Sequence, residues 1–161
     1  MSLGLYLHIP YCFSKCRYCD FYSHPGERGV PEAYVNALLR ELSRFAPEAP
    51  LQPDTLYFGG GTPSLLRPEQ AKRLIDAARP MPGAEITLEA NPETVTEESL
   101  AGFREAGVNR ISFGVQSARD TQLRTLGRPH TAKQARAAFA AARRAGFTNI
   151  SGDIMLALPH Y

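Results

Sequence analysis

The stretch HIPYCFSKCRYCDFYS (His8–Ser23) contains all three cysteines of the 161-residue chain, at Cys12, Cys16 and Cys19. Their spacing is C-x3-C-x2-C, and an apolar strand is predicted just before them, over Leu3–Ile9. The intervening segment is too short for regular secondary structure plus a turn. We therefore expect a loop whose thiols converge at the carboxyl end of a strand, which is the ligand-binding edge of α/β sheets.

Several kinds of site use closely spaced thiols. A zinc site needs four ligands, for which His8 or His24 would have to supply the fourth. A thioredoxin-like C-x-x-C at Cys16–Cys19 should open a helix directly, but Asp-Phe-Tyr follows instead. Three buried structural cysteines are a further alternative. An iron–sulfur cluster held by three thiolates, with one iron left open for a substrate, is favoured because it explains why a fourth cysteine is missing.

Composition and charge narrow the class of protein. The chain is 43% hydrophobic and has a net charge of +2, which indicates a globular domain and gives no sign of a nucleic-acid partner. No apolar run approaches the roughly 20 residues that a membrane span needs. The first residues show no basic segment followed by an apolar one, so we expect no signal peptide. Free thiols and the missing export signal predict a cytoplasmic location.

Strand-like and helix-like patterns alternate along the chain. Five strands are predicted: Leu3–Ile9, Thr55–Phe58, Glu85–Ala90, Arg110–Val115, and a last strand contained in Asn149–Leu158. Five helices are predicted: Pro31–Phe45 (ended by Pro47), Pro68–Ala78, a helix from the N-cap Thr96 to Gly107, Ser117–Leu126, and Thr131–Ala145 with a capping box to Gln134. This alternation predicts an α/β fold of parallel βα repeats, arranged as a curved sheet or partial barrel.

A weak internal repeat supports this architecture. GVNRIS at Gly107–Ser112 is echoed 39 residues later by GFTNIS at Gly146–Ser151. Each copy combines a helix-ending glycine, a short turn and the start of a strand. The chain stops at Tyr161, and no helix follows to cover the fifth strand, which would leave an exposed edge. We therefore expect a truncated or split protein, with a naturally short form as the alternative.

Polar residues stand at the ends of several predicted strands. Glu89, Gln116 and Asp153 come from three successive strands, so their side chains can converge on one ligand at the carboxyl edge of the sheet. An acidic residue in an apolar strand needs a partner, and for Asp153 a buried Asp–Arg pair is the alternative to ligand binding. The Gly59–Gly61 run follows a strand and allows a ligand to approach the backbone closely, although a structural turn explains it equally well.

Seven motifs, which follow one another along the chain, resemble those of a known family. They are Y-x-H-I-P-Y-C, C-x-Y-C-D-F, Y-F-G-G-G-T-P-S, E-A-N-P, G-V-Q-S, L-G-R-x-H and D-I-M-x-x-L-P, and they span Leu5 to Pro159. The chain resembles the radical S-adenosylmethionine (SAM) superfamily, and within it the family of oxygen-independent coproporphyrinogen III dehydrogenase and its HemW-type relatives, which are haem chaperones. The resemblance implies a partial radical SAM barrel over residues 1–161, truncated after the fifth strand and without the C-terminal domain of the family.

The resemblance also implies cofactors. Cys12, Cys16 and Cys19 would hold a [4Fe-4S] cluster whose fourth iron binds the amino and carboxylate groups of S-adenosylmethionine. One electron would then split the sulfonium C–S bond to give methionine and a 5′-deoxyadenosyl radical. The residues that the resemblance places near the cluster or this ligand are Tyr6, Tyr18, Gly60, Gly61, Thr62, Glu89, Gln116, Arg128 and Asp153.

Some of these residues have simpler explanations. Tyr6 could serve only as a core residue of a buried strand, and His8 as a hydrogen-bonded core histidine near the cluster. We expect His24 and His130 to be surface or loop residues.

Two functions remain open in this family, and a third follows from the early stop. Phe21 stands where the dehydrogenases carry a further cysteine, and the short segment before Tyr6 lacks their N-terminal extension. Both features favour a haem chaperone, with haem as cargo and a haem-receiving membrane enzyme as partner. The alternative is a radical enzyme that oxidatively decarboxylates two propionates of coproporphyrinogen III. The third is a cluster-binding remnant with no function of its own. No haem ligand can be named from these residues.

Overall fold

The computed structural model describes residues 3–45 and 51–158, in which strands and helices alternate. The strands are β1 (Gly4–Ile9), β2 (Tyr11–Cys12), β3 (His24–Pro25), β4 (Thr55–Gly60), β5 (Glu85–Ala90), β6 (Arg110–Gln116) and β7 (Asn149–Ile154). The helices are α1 (Glu32–Phe45), α2 (Pro68–Ala78), α3 (Glu97–Ala106), α4 (Asp120–Leu126) and α5 (Ala132–Arg144). Pro63–Leu65 and Pro92–Thr94 form short 3₁₀ turns. No helix in this described part is long and apolar enough to cross a membrane.

Five strands form one parallel sheet in the order β1-β4-β5-β6-β7, which is also their order along the chain. Parallel neighbours require crossover connections, and the long helices provide them. This arrangement confirms the predicted α/β fold of parallel βα repeats. The remaining strands, β2 and β3, form a separate two-stranded parallel ladder at the base of the cysteine loop.

The two faces of the sheet differ in chemistry. Alternate residues of the strands point to a buried apolar face, where Ile9, Phe58, Leu88 and Phe113 are completely buried in one core cluster with helix residues. The opposite face carries polar side chains, among them His8, Tyr57, Glu89 and Ser112. Within the described residues, the buried side chains of the helices pack on the apolar face in the core cluster.

The helix boundaries follow the predicted caps closely. Thr96 caps α3 by accepting a hydrogen bond from the Ser99 N–H at 3.1 Å. Thr131 caps α5 with the predicted capping box, in which its hydroxyl accepts from the Gln134 N–H at 3.2 Å. Pro68–Ala78 is helical over the predicted range. The predicted stop at Pro47 lies outside the described residues.

One helix boundary was predicted wrongly. The fourth helix begins at Asp120 and not at Ser117, because the Ser117 hydroxyl accepts a hydrogen bond from the Arg119 N–H at 3.0 Å and holds a local turn. The last strand lies within the predicted segment Asn149–Leu158 and ends at Ile154; beyond it, Ala157 has a positive φ of 54°. A positive φ is incompatible with an extended strand.

The internal repeat has a direct structural counterpart. Strands β6 and β7 pair in the register Arg110↔Asn149, Ile111↔Ile150 and Ser112↔Ser151, so the repeated residues lie side by side. The Ser151 hydroxyl donates to the Ser112 hydroxyl at 2.9 Å. The two copies are therefore consecutive βα units of the same sheet.

A prediction about packing follows from Gly102 in α3. A Cβ atom there would lie 2.7 Å from Cγ of Pro68, at the start of α2. Helix propensity favours alanine over glycine by about 1 kcal/mol, but overpacking costs about 1–3 kcal/mol. We therefore expect Gly102→Ala to lower the free energy of unfolding, measured by urea denaturation. In a Pro68→Ala background the 2.7 Å overlap with Cγ is removed and only the 3.0 Å contact with Cβ of residue 68 remains, so the same substitution should cost less stability than it does with Pro68 in place. A gain in stability with Pro68 in place would contradict this packing.

Candidate functional site

The cysteine loop begins where β1 ends and is closed at its base by the β2–β3 ladder. Cys12 lies at this base and is buried, whereas Cys16 and Cys19 are partly exposed; all three are free thiols. The Cys19 N–H donates to the Cys16 carbonyl oxygen at 3.2 Å, and the Arg17 N–H donates to the Leu126 carbonyl oxygen at 3.1 Å. The loop is thus tied both to itself and to the end of α4.

The loop forms one wall of a cavity of about 480 Å³ at the carboxyl edge of the sheet. A cavity of this size is in the range of ordinary small-molecule sites. Of the predicted site residues, those lining the cavity are Cys12, Cys16, Cys19, Tyr18, Gly60, Gly61, Thr62, Glu89, Gln116, Arg128 and Asp153. The structure therefore brings together all of the predicted residues except Tyr6.

The glycine run after β4 lies in close contact with two other segments. Gly60 has a φ of +117°, and a Cβ atom there would lie 2.6 Å from the His8 ring. A Cβ atom at Gly61 would lie 2.7 Å from the Tyr11 carbonyl oxygen and 2.9 Å from the Cys12 sulfur. Real Cβ contacts are not this short, so these positions require glycine. The run is therefore more than a turn, because it brings β4 directly against the cysteine loop.

Glu89 places a carboxylate on the cavity wall. Its oxygens accept hydrogen bonds from the Tyr57 hydroxyl at 2.8 Å and from the Gly60 N–H at 3.2 Å. Burial raises the pKa of Glu89 above its usual value, although these two hydrogen bonds act in the opposite direction. Burial and the hydrogen bond to Glu89 raise the pKa of Tyr57, so this phenol stays a donor.

Tyr6 was predicted to contact the cluster or its ligand, with core packing as the alternative. It does not line the cavity, and it is 53% exposed, so it is not a core residue either. Its ring stacks on Tyr57 with centroids 6.1 Å apart, and its hydroxyl lies 3.1 Å from Nδ1 of His8. Tyr6 thus lies on the polar face, behind the Tyr57–Glu89 pair.

His8 has two hydrogen-bond partners that define its tautomer. Its Nε2 lies 3.1 Å from the Tyr22 carbonyl oxygen, which can only accept, so Nε2 carries the proton. Nδ1 then accepts from the Tyr6 hydroxyl. His8 therefore joins the end of the cysteine loop to β1 as a hydrogen-bonded histidine. These two hydrogen bonds agree with the simpler explanation of His8, a hydrogen-bonded histidine near the cluster.

Arg128 is 9% exposed and lies between the cysteine loop and the sheet. Its guanidinium donates to the Cys16 sulfur at 3.4 Å, to Oδ1 of Asn91 at 2.6 Å and to the Gly114 carbonyl oxygen at 2.7 Å. Its Nε is buried without a hydrogen-bond partner among the described residues. An unsatisfied buried donor is costly, and a ligand oxygen in the cavity would relieve it.

Tyr18 lies beside this guanidinium. Burial raises the pKa of Tyr18 to about 12, while the charge of Arg128 lowers it and the thiols of Cys16 and Cys19 raise it. Tyr18 is therefore a neutral hydrogen-bonding group on the cavity wall.

Gln116 and Asp153 reach the cavity from the ends of β6 and β7. Gln116 has a positive φ of 64°, and the register of the two strands shifts between Gly114 and Gln116. Asp153 lies in β7 and is exposed, whereas the sequence placed it in an apolar strand. Within the described residues Asp153 forms no ion pair, so the buried Asp–Arg alternative has no support.

His130 lies in the loop between α4 and α5, as predicted, but it is buried and does not lie on the surface. It is 2% exposed; its Nδ1 lies 3.1 Å from the Glu93 carboxylate and its Nε2 lies 3.1 Å from the Val115 carbonyl oxygen. The turn after α4 directs the His130 side chain toward the protein interior, behind the cavity. His24, in contrast, is exposed as predicted.

Sequence reasoning missed two residues that organise the site. Tyr57 positions Glu89, and Asn91 joins Arg128 to Thr62 through its two amide atoms. Both had a signal in the sequence: Tyr57 is a polar aromatic in a predicted strand, and Asn91 follows the predicted strand that contains Glu89.

The donor set fits an iron–sulfur cluster better than a single metal ion. Within residues 3–45 and 51–158, no three His, Cys, Asp or Glu side chains come together as ligands of one ion. A tetrahedral zinc site requires such a group, whereas a cubane cluster takes each thiolate on a different iron. The three free thiols lie around the cavity, and N–H or O–H groups donate to two of their sulfurs. This arrangement matches what a cubane cluster requires.

A profile of the radical SAM superfamily matches residues 6–161 of this chain. With the parallel βα sheet and the three cysteines at its ligand-binding edge, the chain belongs to the radical SAM superfamily. The superfamily is characterised by a [4Fe-4S] cluster and S-adenosylmethionine.

The chain is also similar to particular members. It is 43% identical over 163 residues to the heme chaperone HemW of Escherichia coli strain K12, covering 98% of this chain and 43% of that protein. It is 42% identical over 161 residues to the heme chaperone HemW of Bacillus subtilis strain 168, covering 96% of this chain and 42% of that protein. The chain thus spans about two fifths of the length of these relatives.

A solved structure shares the fold. Coproporphyrinogen III oxidase (HemN) from Escherichia coli, described as a radical SAM enzyme, matches with a TM-score of 0.88 and 31% identity. The match covers 99% of this chain and 38% of that protein. The predicted radical SAM fold is therefore confirmed over the described part of the chain.

The raised pKa of Glu89 predicts a pH-dependent effect on stability. A carboxyl group with a raised pKa in the folded state holds its proton more tightly there than in the unfolded chain. Its contribution to stability is therefore complete at low pH and is lost as the pH rises through the folded pKa. Glu89→Gln, which cannot ionise, should raise the free energy of unfolding relative to the wild type more at pH 8 than at about pH 4.

Urea denaturation at both pH values measures this difference. The change between the two pH values is the informative quantity, because glutamine keeps only one of the two acceptor oxygens. Glu105→Gln, at an exposed helix position, is measured in parallel as a control for the loss of one carboxyl group. A Glu89→Gln effect that is equal at both pH values would contradict the prediction.

Proposed function

We propose that this chain is the cluster- and SAM-binding core of a haem chaperone of the HemW type. The observation that carries the proposal is the cavity in which three free thiols face the Gly60–Thr62 segment and Glu89. The sequence identities of 43% and 42% to two heme chaperones support a chaperone function in particular. Three free thiols also support a reducing compartment, and we infer the cytoplasm.

The residues of the cavity have distinct parts in this proposal. Cys12, Cys16 and Cys19 would each hold one iron through a thiolate, which leaves one iron open for S-adenosylmethionine. Gly60 and Gly61 line the cavity, and their backbone would contact that ligand where β4 lies against the cysteine loop.

Polar side chains would orient the ligand. The buried Nε of Arg128 is a donor for a ligand oxygen, and the Glu89 carboxylate is an acceptor for a ligand N–H or O–H group. Gln116 and Asp153 would reach the hydroxyl groups of the ligand from the neighbouring strand ends.

When bound, the cluster supplies the electron that cleaves the sulfonium C–S bond of S-adenosylmethionine. The chain itself binds the ligand, orients it and limits its contact with water. Arg128 and Thr62 place N–H and O–H donors on the thiolates, and Tyr57 holds Glu89 in position.

A second candidate function is the oxidative decarboxylation of coproporphyrinogen III. It is favoured by the likeness to HemN, with a TM-score of 0.88. Against it stands Phe21, where the dehydrogenases carry a further cysteine; its side chain is 67% exposed and lies at the cavity. We therefore favour the chaperone function, in which haem is the cargo and a haem-receiving membrane enzyme is the partner.

The cofactor proposal predicts a loss of iron in cysteine variants. Anaerobic reconstitution should load about four iron atoms per chain, and Cys12→Ala, Cys16→Ala or Cys19→Ala should each reduce this severalfold. Ser14→Ala, in the same loop, is the matched control and should load normally. Electron paramagnetic resonance of the reduced wild type should show a signal that changes when S-adenosylmethionine is added. A signal indifferent to the ligand would argue against the open iron.

The chaperone proposal predicts binding without turnover. Titration with haem, followed by absorption, should saturate at a fixed stoichiometry. Incubation of the reconstituted protein with coproporphyrinogen III, S-adenosylmethionine and a low-potential reductant should give no protoporphyrinogen IX. Formation of that product would instead support the second candidate.

A further inference from the structure

Two of the three cysteine sulfurs are connected through side chains from other segments that line the cavity. The Thr62 hydroxyl donates to the Cys12 sulfur at 3.5 Å, and the Arg128 guanidinium donates to the Cys16 sulfur at 3.4 Å. Asn91 joins the two donors: its Nδ2 donates to the Thr62 hydroxyl at 3.1 Å, and its Oδ1 accepts from Arg128 at 2.6 Å. We call Thr62, Asn91 and Arg128 the thiol-donor network.

The direction of every hydrogen bond in the network follows from the chemistry of its groups. A guanidinium only donates, so the amide oxygen of Asn91 must face Arg128 and its nitrogen must face Thr62. The Thr62 oxygen therefore accepts from Asn91, and its own proton is free to point at Cys12. Each of the two sulfurs thus receives a hydrogen bond whose donor is held in place by a third residue.

The protein leaves space for this arrangement and buries its Thr62–Cys12 end. A Cβ atom at Gly114 would lie 3.0 Å from Oδ1 of Asn91 and 3.2 Å from an Arg128 nitrogen, so the glycine makes room for both groups. Thr62 is 2% exposed. Hydrogen bonds in such surroundings are electrostatically stronger than in water.

We propose that the thiol-donor network sets the reduction potential of the cluster, with Thr62 acting on Cys12, Arg128 acting on Cys16 and Asn91 positioning both. This inference rests on the proposed function. One-electron reduction by an external low-potential donor takes the cluster from [4Fe-4S]²⁺ to [4Fe-4S]⁺ and increases the negative charge shared by its thiolates. Donors to those sulfurs stabilise the reduced form and so raise the potential.

Thr62 offers a matched pair of variants. Thr62→Val has nearly the same shape and lacks the O–H donor, whereas Thr62→Ser keeps the donor and loses only a methyl group. A hydrogen bond to a charged group corresponds to about a tenfold change in an equilibrium constant, or about 59 mV for one electron. We therefore expect the potential of Thr62→Val to be more negative by about this amount, and that of Thr62→Ser to stay near the wild-type value.

The potential is measured by redox titration of the anaerobically reconstituted full chain, without S-adenosylmethionine, with the [4Fe-4S]⁺ signal followed by electron paramagnetic resonance. Iron content is determined on the same samples, so that loss of the cluster is distinguished from a change in its potential. Asn91→Ala is the second variant, used if Thr62→Val does not fold or load. It should also shift the potential to more negative values, because both donors lose their support.

Equal potentials in the wild type and in a fully loaded Thr62→Val or Asn91→Ala variant would overturn the inference and leave the proposed function intact. An equal negative shift in Thr62→Val and Thr62→Ser would also overturn it, because packing and not the donor would then be responsible. A wild-type chain that loads no iron would overturn the proposed function itself.

Discussion

The site depends on how closely the β4 glycine run can approach the cysteine loop. At Gly61 a Cβ atom would lie 2.7 Å from the Tyr11 carbonyl oxygen and 2.9 Å from the Cys12 sulfur. Because glycine has no side chain, the backbone of one strand end can lie directly against the first thiol. This contact places Thr62 beside Cys12 and presents the Gly60 N–H to Glu89, so both walls of the cavity take their positions from it.

The charges around the cavity are separated by this geometry. The Glu89 carboxylate lies on the side of β4 and β5, held by Tyr57 and the Gly60 N–H. The Arg128 guanidinium lies on the side of the thiols and makes its contacts with sulfur, amide and carbonyl groups. A ligand with both an acidic and a basic group can therefore be oriented by the protein, and an anionic cluster gains a nearby positive charge.

The sequence predicted most of the fold and most of the residues around the cavity, but not how they are connected. Caps such as Thr96 and Thr131, and strands such as Glu85–Ala90, were located correctly because their signals are local. The burial of His130 was not predicted, because burial depends on what packs against a residue. The organising roles of Tyr57 and Asn91 were missed for the same reason.

The sequence by itself determined the order of strands and helices and the three thiols after the first strand, because periodicity, capping and turn chemistry act between near neighbours in the chain. Only the tertiary structure decided which donor meets which sulfur and which phenol meets Glu89. The Tyr57–Glu89 bond joins residues 32 apart, and the Arg128–Cys16 bond joins residues 112 apart. Such contacts depend on the register of parallel strands and on the path of the loops between them, which no local pattern specifies.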